Sequence, residues 1–151
     1  MYFGLSEDQI FFQDNVKKFL EDQAPLDVIK KISEGEDIFV KDELHQGLIN
    51  LGINNILIPE ENGGLGLDLL FASAVSQSLG EGVATLPFLG PYVIAPIAIK
   101  YGANEEQKEK LFNKMSQNLI NFGVGFSEYF GSRDSSGLSI ENNTVTGRTL
   151  F

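Results

Sequence analysis

The stretch from Leu51 to Leu70, LGINNILIPEENGGLGLDLL, limits the possible folds of this chain more than any other segment. An apolar run is followed by one proline, two adjacent acids and glycines at 63, 64 and 66. Neither a helix nor a strand continues easily through such a segment. We therefore expect a rigid turn in which the glycines permit positive φ angles and a close approach of neighbouring helices.

Two functional interpretations of this turn are disfavoured by its charge. No positively charged residue lies between Lys41 and Lys100, so the turn lacks the lysine of a phosphate-binding loop. It also lacks the strand–glycine–helix order of a dinucleotide site, and its carboxylates would repel a pyrophosphate. Glu60 and Glu61 are adjacent and would point in different directions, which disfavours a shared metal ion. The prediction is a structural turn.

Before the turn, apolar residues recur at helical spacing in three segments. The first helix begins at a capping box formed by Ser6 and Gln9. A short helix is expected over about 26–32, and a longer one over about 37–51 with Gly52 as its C-terminal cap. The predicted apolar faces are Phe12, Val16, Phe19 and Leu20 in the first helix, and Val40, Leu44, Leu48 and Leu51 in the longer one.

After the turn, end signals mark three further helices. Asp68 is placed to cap the first of them, and Gly80 is expected to end it. Pro91 is expected to open the next helix, which Pro96 should kink or split, and Asn104 to cap the last. The predicted buried face of the first is Leu69, Ala72, Val75 and Leu79.

The pattern changes to β-prone residues near the carboxyl end. Residues 118–130 are predicted to form a strand, and 138–147 a hairpin turning at Asn142 and Asn143. The last four residues, RTLF, are predicted to form an apolar strand that has no partner strand. We predict a mainly α fold of about five to six helices over 1–119, followed by the first strands of an incomplete β domain over 120–151. The chain is interpreted as a fragment.

Composition excludes several classes of protein. The net charge of −10 opposes binding to nucleic acid or anionic membranes. The absence of cysteine excludes thiolate chemistry, and the single histidine, His45, excludes multi-histidine metal sites. His45 is expected to be a surface or half-buried helix residue. No apolar run reaches membrane-spanning length and no secretory signal is visible, so a cytoplasmic location is expected.

Five segments together resemble the amino-terminal part of the acyl-CoA dehydrogenase family, over essentially the whole chain. They are LSEDQIFFQDNVKKFL, LGINNILIPEENGGLGLDLL, SQSLGEG, KYGANEEQKEKLF and GVGFSEYFGSRD. The resemblance implies a helical N-terminal domain ahead of a β-barrel domain, with a C-terminal four-helix domain in the complete protein. It also implies α,β-dehydrogenation of an acyl-CoA thioester, with FAD as hydride acceptor and an electron-transfer flavoprotein as partner.

The same resemblance implies that residues 1–151 lack the catalytic base. The general base of the family is a glutamate of the C-terminal domain, which is absent from this chain, so residues 1–151 alone are expected to be inactive and to lack bound FAD. No catalytic residue is therefore assigned here. The full-length protein is expected to form homo- or hetero-oligomers.

The flavin-contacting strand of the family resembles VGFSE, residues 124–128. By this resemblance Ser127 would lie at the N5/O4 edge of the flavin, and the backbone of Val124 and Phe126 at its pyrimidine side. Gly131 and Ser132 would contact the FAD pyrophosphate or the CoA moiety. Tyr129 replaces the proline usual in the family. Glu128 is structural in the family pattern.

The segment LPFLGPYVIAP corresponds to the floor of the acyl pocket in the family. Leu89, Tyr92 and Val93 are therefore candidate substrate-lining residues, although an apolar stripe is commonly only core. The proline-rich sequence of this segment also resembles family members that act on thioesters of bulky acyl groups, such as sterol side chains. Some of those are heteromeric pairs in which one subunit lacks the base.

Two alternatives remain open at this stage. One is a non-catalytic short subunit that completes the acyl-CoA and FAD site of a partner. The other is a related flavin-dependent oxygenase or nitroalkane-oxidising branch that shares the N-terminal fold. Sequence beyond Phe151 distinguishes them, since a further base-bearing domain favours the dehydrogenase and a stop codon favours the short subunit.

Overall fold

The structure is a computed structural model that describes residues 4–36, 38–125 and 138–147. Capping residues and glycines mark the ends of several of its helices. The described residues contain six α-helices, a single 3₁₀ turn at Glu60–Asn62, a π-helical turn at Leu89–Ile94 and one β-hairpin. The helices are α1 (Glu7–Gln23), α2 (Leu26–Ser33), α3 (Ile38–Asn50), α4 (Leu69–Glu81), α5 (Ala95–Gly102) and α6 (Glu105–Ser116). The strands are β1 (Leu138–Glu141) and β2 (Thr144–Gly147). The mainly α fold class is confirmed.

Side-chain caps begin three of these helices where the sequence predicts them. In α1 the Ser6 hydroxyl accepts the backbone N–H of Gln9 at 3.2 Å, and the Gln9 side chain accepts the N–H of Ser6 at 2.9 Å. Asp68 accepts the N–H of Phe71 at 2.9 Å at the start of α4. Asn104 begins α6 with a second reciprocal capping box. Each cap satisfies an N–H group that has no partner inside its helix, which stabilises the helix by about 1 kcal/mol.

The main core lies where α1 packs against α4. Val16 of α1 and Val75 of α4 are fully buried. Burial of an aliphatic side chain of this size stabilises the fold by roughly 1.5–3 kcal/mol. The buried Gln13 amide donates to the carbonyl oxygen of Ala74 at 2.8 Å and thereby ties the two helices together. The predicted faces of α1 and α3 are confirmed, with Leu44 and Leu48 buried in the same core.

The loop from 51 to 68 folds back on itself through its own backbone. Leu65, Gly66 and Leu67 donate their N–H groups to the carbonyl oxygens of Asn55, Ile58 and Ile56, each at 2.8 Å. Gly63 and Gly66 have φ angles of 81° and 61°, which favour glycine. Two further N–H groups in this loop, those of Gly63 and Gly64, donate to carbonyls of the same loop. The prediction of a structural turn is confirmed.

A second, smaller core forms between α5 and α6. It contains Ile58 of the loop together with Ala95, Ile99, Phe112 and Met115. Because Ile53 and Ile56 of the same loop lie in the main core, the loop joins the two cores.

Two details of α4 differ from the prediction. Leu69 is 55% exposed rather than buried, because it is the first residue of the helix and the buried positions begin at Phe71. The helix continues through Gly80 to Glu81, with Gly82 as its C-terminal cap. At Gly82 a Cβ atom would collide with the Leu20 side chain, so the glycine that the packing requires lies two residues later than predicted.

The β-prone end is only partly as predicted. The hairpin is confirmed, since Ser139 pairs with Thr146 in an antiparallel ladder and Asn142 and Asn143 have φ angles of 48° and 62° at the turn. The strand predicted over 118–130 is wrong for its described part, because residues up to 125 pair with no neighbouring strand in the described chain. Residues 126–130 and RTLF lie outside the described residues. The domain boundary at 119/120 stays a prediction.

Substitution of Gly64 by alanine should destabilise the protein by about 2 kcal/mol or more. A Cβ atom at this position would overlap the carbonyl group of Ile58, which belongs to the backbone and cannot rotate away. Urea unfolding of the wild type and of Gly64→Ala measures the difference. The matched control is Gly80→Ala, where the new methyl group would meet nothing within 4 Å apart from its chain neighbours and the backbone of its own helix. Equal stabilities of the two variants would contradict this packing.

Candidate functional site

An open apolar groove is lined by the last turns of α4 and by the segment that leads from it toward α5, as far as Gly90. We call it the α4–α5 groove. None of its ten lining residues is ionisable, and most are aliphatic or aromatic. They are Ser76, Leu79, Gly80, Val83, Ala84, Leu86, Pro87, Phe88, Leu89 and Gly90. A groove of this composition suits a hydrocarbon chain better than a charged ligand.

The backbone of the groove is unusual at Val83. This residue has a φ angle of 51°, in the left-handed region that β-branched residues rarely adopt. Such a conformation costs on the order of 1–3 kcal/mol and persists only when its surroundings hold it. Here the N–H of Val83 donates to the carbonyl of Gly80, and that of Ala84 to the carbonyl of Leu79. Strained residues of this kind concentrate at ligand-binding segments.

The second unusual element is the π-helical turn Leu89–Ile94, which we call the wide turn. Ala95 donates its N–H to the carbonyl of Gly90, five residues back. The prediction that Pro91 opens a helix is wrong in detail, since Pro91 lies inside the wide turn and helical structure begins at Leu89. The predicted split at Pro96 is not seen, because Ile94 and Ala95 both have right-handed helical angles and the wide turn passes directly into α5, with Pro96 in its first turn.

The three candidate substrate residues all lie on the wide turn but face different surroundings. Leu89 is 58% exposed and lines the α4–α5 groove. Tyr92 is 7% exposed and belongs to the main core, where its ring lies 6.3 Å from that of Phe88. Val93 is partly buried against the same core. The structure therefore places Leu89 alone of the three on the groove wall, and the substrate-lining role of all three stays a prediction.

The hydrogen-bond partner of Tyr92 could not be inferred from the sequence. His45 of α3 is half-buried, as predicted, and its Nε2 lies 2.9 Å from the Tyr92 hydroxyl oxygen. Burial lowers the pKa of His45, while nearby Asp42 acts in the opposite direction and Lys41 in the same one. Burial also raises the pKa of Tyr92, so its hydroxyl keeps its proton. A neutral imidazole either accepts a hydrogen bond from the Tyr92 hydroxyl at Nε2 or donates its Nε2–H to the hydroxyl oxygen, depending on the tautomer.

Of the candidate cofactor residues, only Val124 lies in the described part of the chain; Phe126, Ser127, Gly131 and Ser132 lie outside it. Ile120, Phe122 and Val124 pack on the second core, and the residues between them are exposed. This alternation of period two is that of extended backbone. The backbone groups of 120–125 have no hydrogen-bond partner in the described chain, so those of Val124 are available to a ligand or to another strand.

Glu60 and Glu61 lie on the 3₁₀ turn Glu60–Asn62. In the described ranges no group of three histidine or acidic side chains is placed to hold a metal ion. A Cβ atom at Gly66 would lie 3.0 Å from the Glu60 side chain, so this acid packs over the glycine turn. The structural interpretation of the acids agrees with this packing.

The described architecture defines a helical domain whose two cores are joined by a glycine-rich loop. The family model for the acyl-CoA dehydrogenase N-terminal domain matches residues 6–118, from the cap of α1 to just beyond α6. The chain therefore belongs to the acyl-CoA dehydrogenase family. No solved structure matches the chain with significance. Within the described residues, no helix is both long and apolar enough to cross a bilayer.

The lowered pKa of His45 predicts a pH dependence of stability. The folded state binds the His45 proton less tightly than the unfolded state does, so stability rises with pH across this titration. The contribution is complete above the ordinary value of 6.5 and is lost as the pH falls through the lower folded pKa. In urea unfolding between pH 7 and pH 5, His45→Gln should therefore lose less stability than the wild type.

The ion pair of Lys17 and Glu81 does not account for a loss of stability between pH 7 and pH 5. Lys17 lowers the pKa of Glu81 below its ordinary value of 4.5, so that contribution is lost only at more acid pH. Parallel losses of stability in the wild type and in His45→Gln would contradict the assignment to His45.

Proposed function

We propose that this chain is the N-terminal part of an FAD-dependent acyl-CoA dehydrogenase that oxidises the α,β bond of an acyl-CoA thioester. The match of the family model to residues 6–118 carries this proposal. The location of the α4–α5 groove supports it, since the groove contains Leu89 from the segment that resembles the acyl pocket floor. Tyr92 belongs to the main core and Val93 packs against it, and neither lines the groove.

The chemistry of the α4–α5 groove agrees with a hydrocarbon ligand. Its lining carries no ionisable group, so it would bury an acyl chain without desolvating a charge. Each methylene group removed from water there would contribute about 0.8 kcal/mol to binding. The groove also carries no acid or base, so its role is to bind and orient the acyl chain.

FAD, when bound, would accept the hydride that leaves the β-carbon of the thioester. The free backbone groups around Val124 fit one edge of such a cofactor site, and by resemblance Phe126, Ser127, Gly131 and Ser132 complete this chain's part of it. Donor groups at the flavin edge would stabilise negative charge as it develops there. Ser132 would also contact the CoA moiety of the substrate. The α-proton would be removed by a glutamate of the C-terminal domain of the complete protein.

The remaining proposals follow from family membership. Electrons would pass from the reduced cofactor to an electron-transfer flavoprotein. The complete enzyme would be a homo- or hetero-oligomer located in the cytoplasm. Acyl chains of fatty acids and of sterol side chains are both candidate substrates.

The direct test uses the full-length protein that contains these residues. Anaerobic addition of an acyl-CoA should bleach the visible absorption of bound flavin, because the cofactor takes up the hydride. Residues 1–151 expressed alone should contain no FAD and show no turnover. A full-length protein that binds flavin but is reduced only by nitroalkanes would contradict the dehydrogenase proposal. Stoichiometric flavin on residues 1–151 alone would contradict the interpretation of this chain as a fragment.

Leu89→Ala should raise the KM for a long-chain acyl-CoA by about threefold to tenfold, because it removes apolar contact from the groove wall. Leu89 is already 58% exposed, so the substitution should change stability by less than about 0.5 kcal/mol. Leu70→Ala is the matched control, since Leu70 is 54% exposed but does not line the groove. Equal KM values for the two variants would remove Leu89 from the acyl site.

A further inference from the structure

The wide turn is held by backbone hydrogen bonds of the wider π-helical kind. Its i→i+5 bond from the Ala95 N–H to the Gly90 carbonyl is of a rare kind, and Pro91 within it has no N–H to donate. The Tyr92 N–H donates to the carbonyl of Phe88 at 3.1 Å. Single π-helical turns occur frequently at functional sites. Its side chains Tyr92 and Val93 add contacts to the main core.

Tyr92 is the side chain that reaches deepest from the wide turn into the main core. Its ring is 7% exposed and lies beside that of Phe88. The Tyr92 hydroxyl has a hydrogen-bond partner in a part-buried setting, and losing a neutral bond of this kind costs about 0.5–1.5 kcal/mol. His45 is that partner, across 47 positions of sequence and at 2.9 Å.

The hydrogen bond between His45 and Tyr92 links α3 to the wide turn, two elements whose backbones are not in contact. In the described chain, no Cα atom of α3 lies within 8 Å of a Cα atom of the wide turn. The two elements meet through side chains, and their polar link is the pair of the single histidine and the tyrosine. The imidazole and phenol rings are tilted by 53°, with centroids 6.4 Å apart, so they meet at the polar atoms rather than by stacking.

From this geometry we infer that His45 is a positioning residue: through Tyr92 it fixes the wide turn and thereby the place at which Leu89 meets the acyl chain. Leu89 lies three residues before Tyr92 on the same turn. The inference rests on the proposed function for its substrate and deepens it by naming a determinant of acyl-chain selection outside the groove. His45 does not line the α4–α5 groove and needs no contact with the substrate.

Hydrogen exchange of the full-length protein tests the structural part without any substrate. The reporters are the amides of Tyr92 and Ala95 in and after the wide turn, and the Lys108 amide of α6 is the remote reference. His45→Leu and Tyr92→Phe should each raise exchange at the two reporters by about three- to tenfold relative to Lys108, the effect of losing one hydrogen bond. His45→Gln, whose amide can still reach the hydroxyl, should change the ratio by less than about twofold.

Steady-state kinetics with short and long acyl-CoA substrates test the functional part. In His45→Leu the ratio of kcat/KM for the long to the short substrate should shift by about threefold or more, through KM, while kcat for the short substrate changes less than about twofold. His45→Gln should restore the wild-type ratio. A purely structural role would lower kcat for both substrates alike.

The outcomes separate the inference from the proposed function. Unchanged exchange at the wide turn, or an equal rise at Lys108, would overturn the positioning role. A loosened turn with an unaltered long-to-short ratio would overturn the link to acyl selection. If the wild type oxidises no acyl-CoA, the proposed function fails, and exchange at Tyr92 and Ala95 still decides whether His45 fixes the turn.

Discussion

The close approach of Gly64 to the backbone of Ile58 is the constraint on which the rest of the helical domain depends. Ile58 is fully buried in the second core, while Ile53 and Ile56, a few residues earlier, are fully buried in the main core. The loop that joins the two cores folds back within a few residues. Only a glycine at position 64 lets the backbone approach the carbonyl group of Ile58 so closely. Because the loop leads directly into α4, its shape also fixes the start of the helix whose other end borders the groove.

The α4–α5 groove combines features that cost stability. Val83 adopts a left-handed conformation, Leu89 exposes apolar surface, and the wide turn replaces ordinary helical bonds. A segment selected only for stability would avoid all three, and local departures from the usual rules concentrate at functional sites. The packing of α1 on α4 offsets these costs, with Val16 and Val75 fully buried and Gln13 bonded across the pair.

Much of the helical domain follows from the sequence because its signals are local. Ser6, Asp68 and Asn104 begin helices through bonds to residues three positions away, so their caps could be predicted. The burial of Leu44 and Leu48 follows from spacing alone. The end of α4 could not be predicted, since the close contact that requires glycine is made by Gly82 with Leu20, more than 60 positions earlier. The same limit applies to the candidate site, where the partner of Tyr92 lies on α3 and no local pattern marks a π-helical turn.

We propose that the α4–α5 groove holds the acyl chain of a thioester substrate. A crystal structure of the full-length protein with a non-reactive acyl-CoA thioether tests it most directly. The methylene groups of the acyl chain should lie in contact with Leu89 and the neighbouring groove wall, with Tyr92 still bonded to His45. An acyl chain bound elsewhere, with the α4–α5 groove covered by protein or open to solvent, would contradict it.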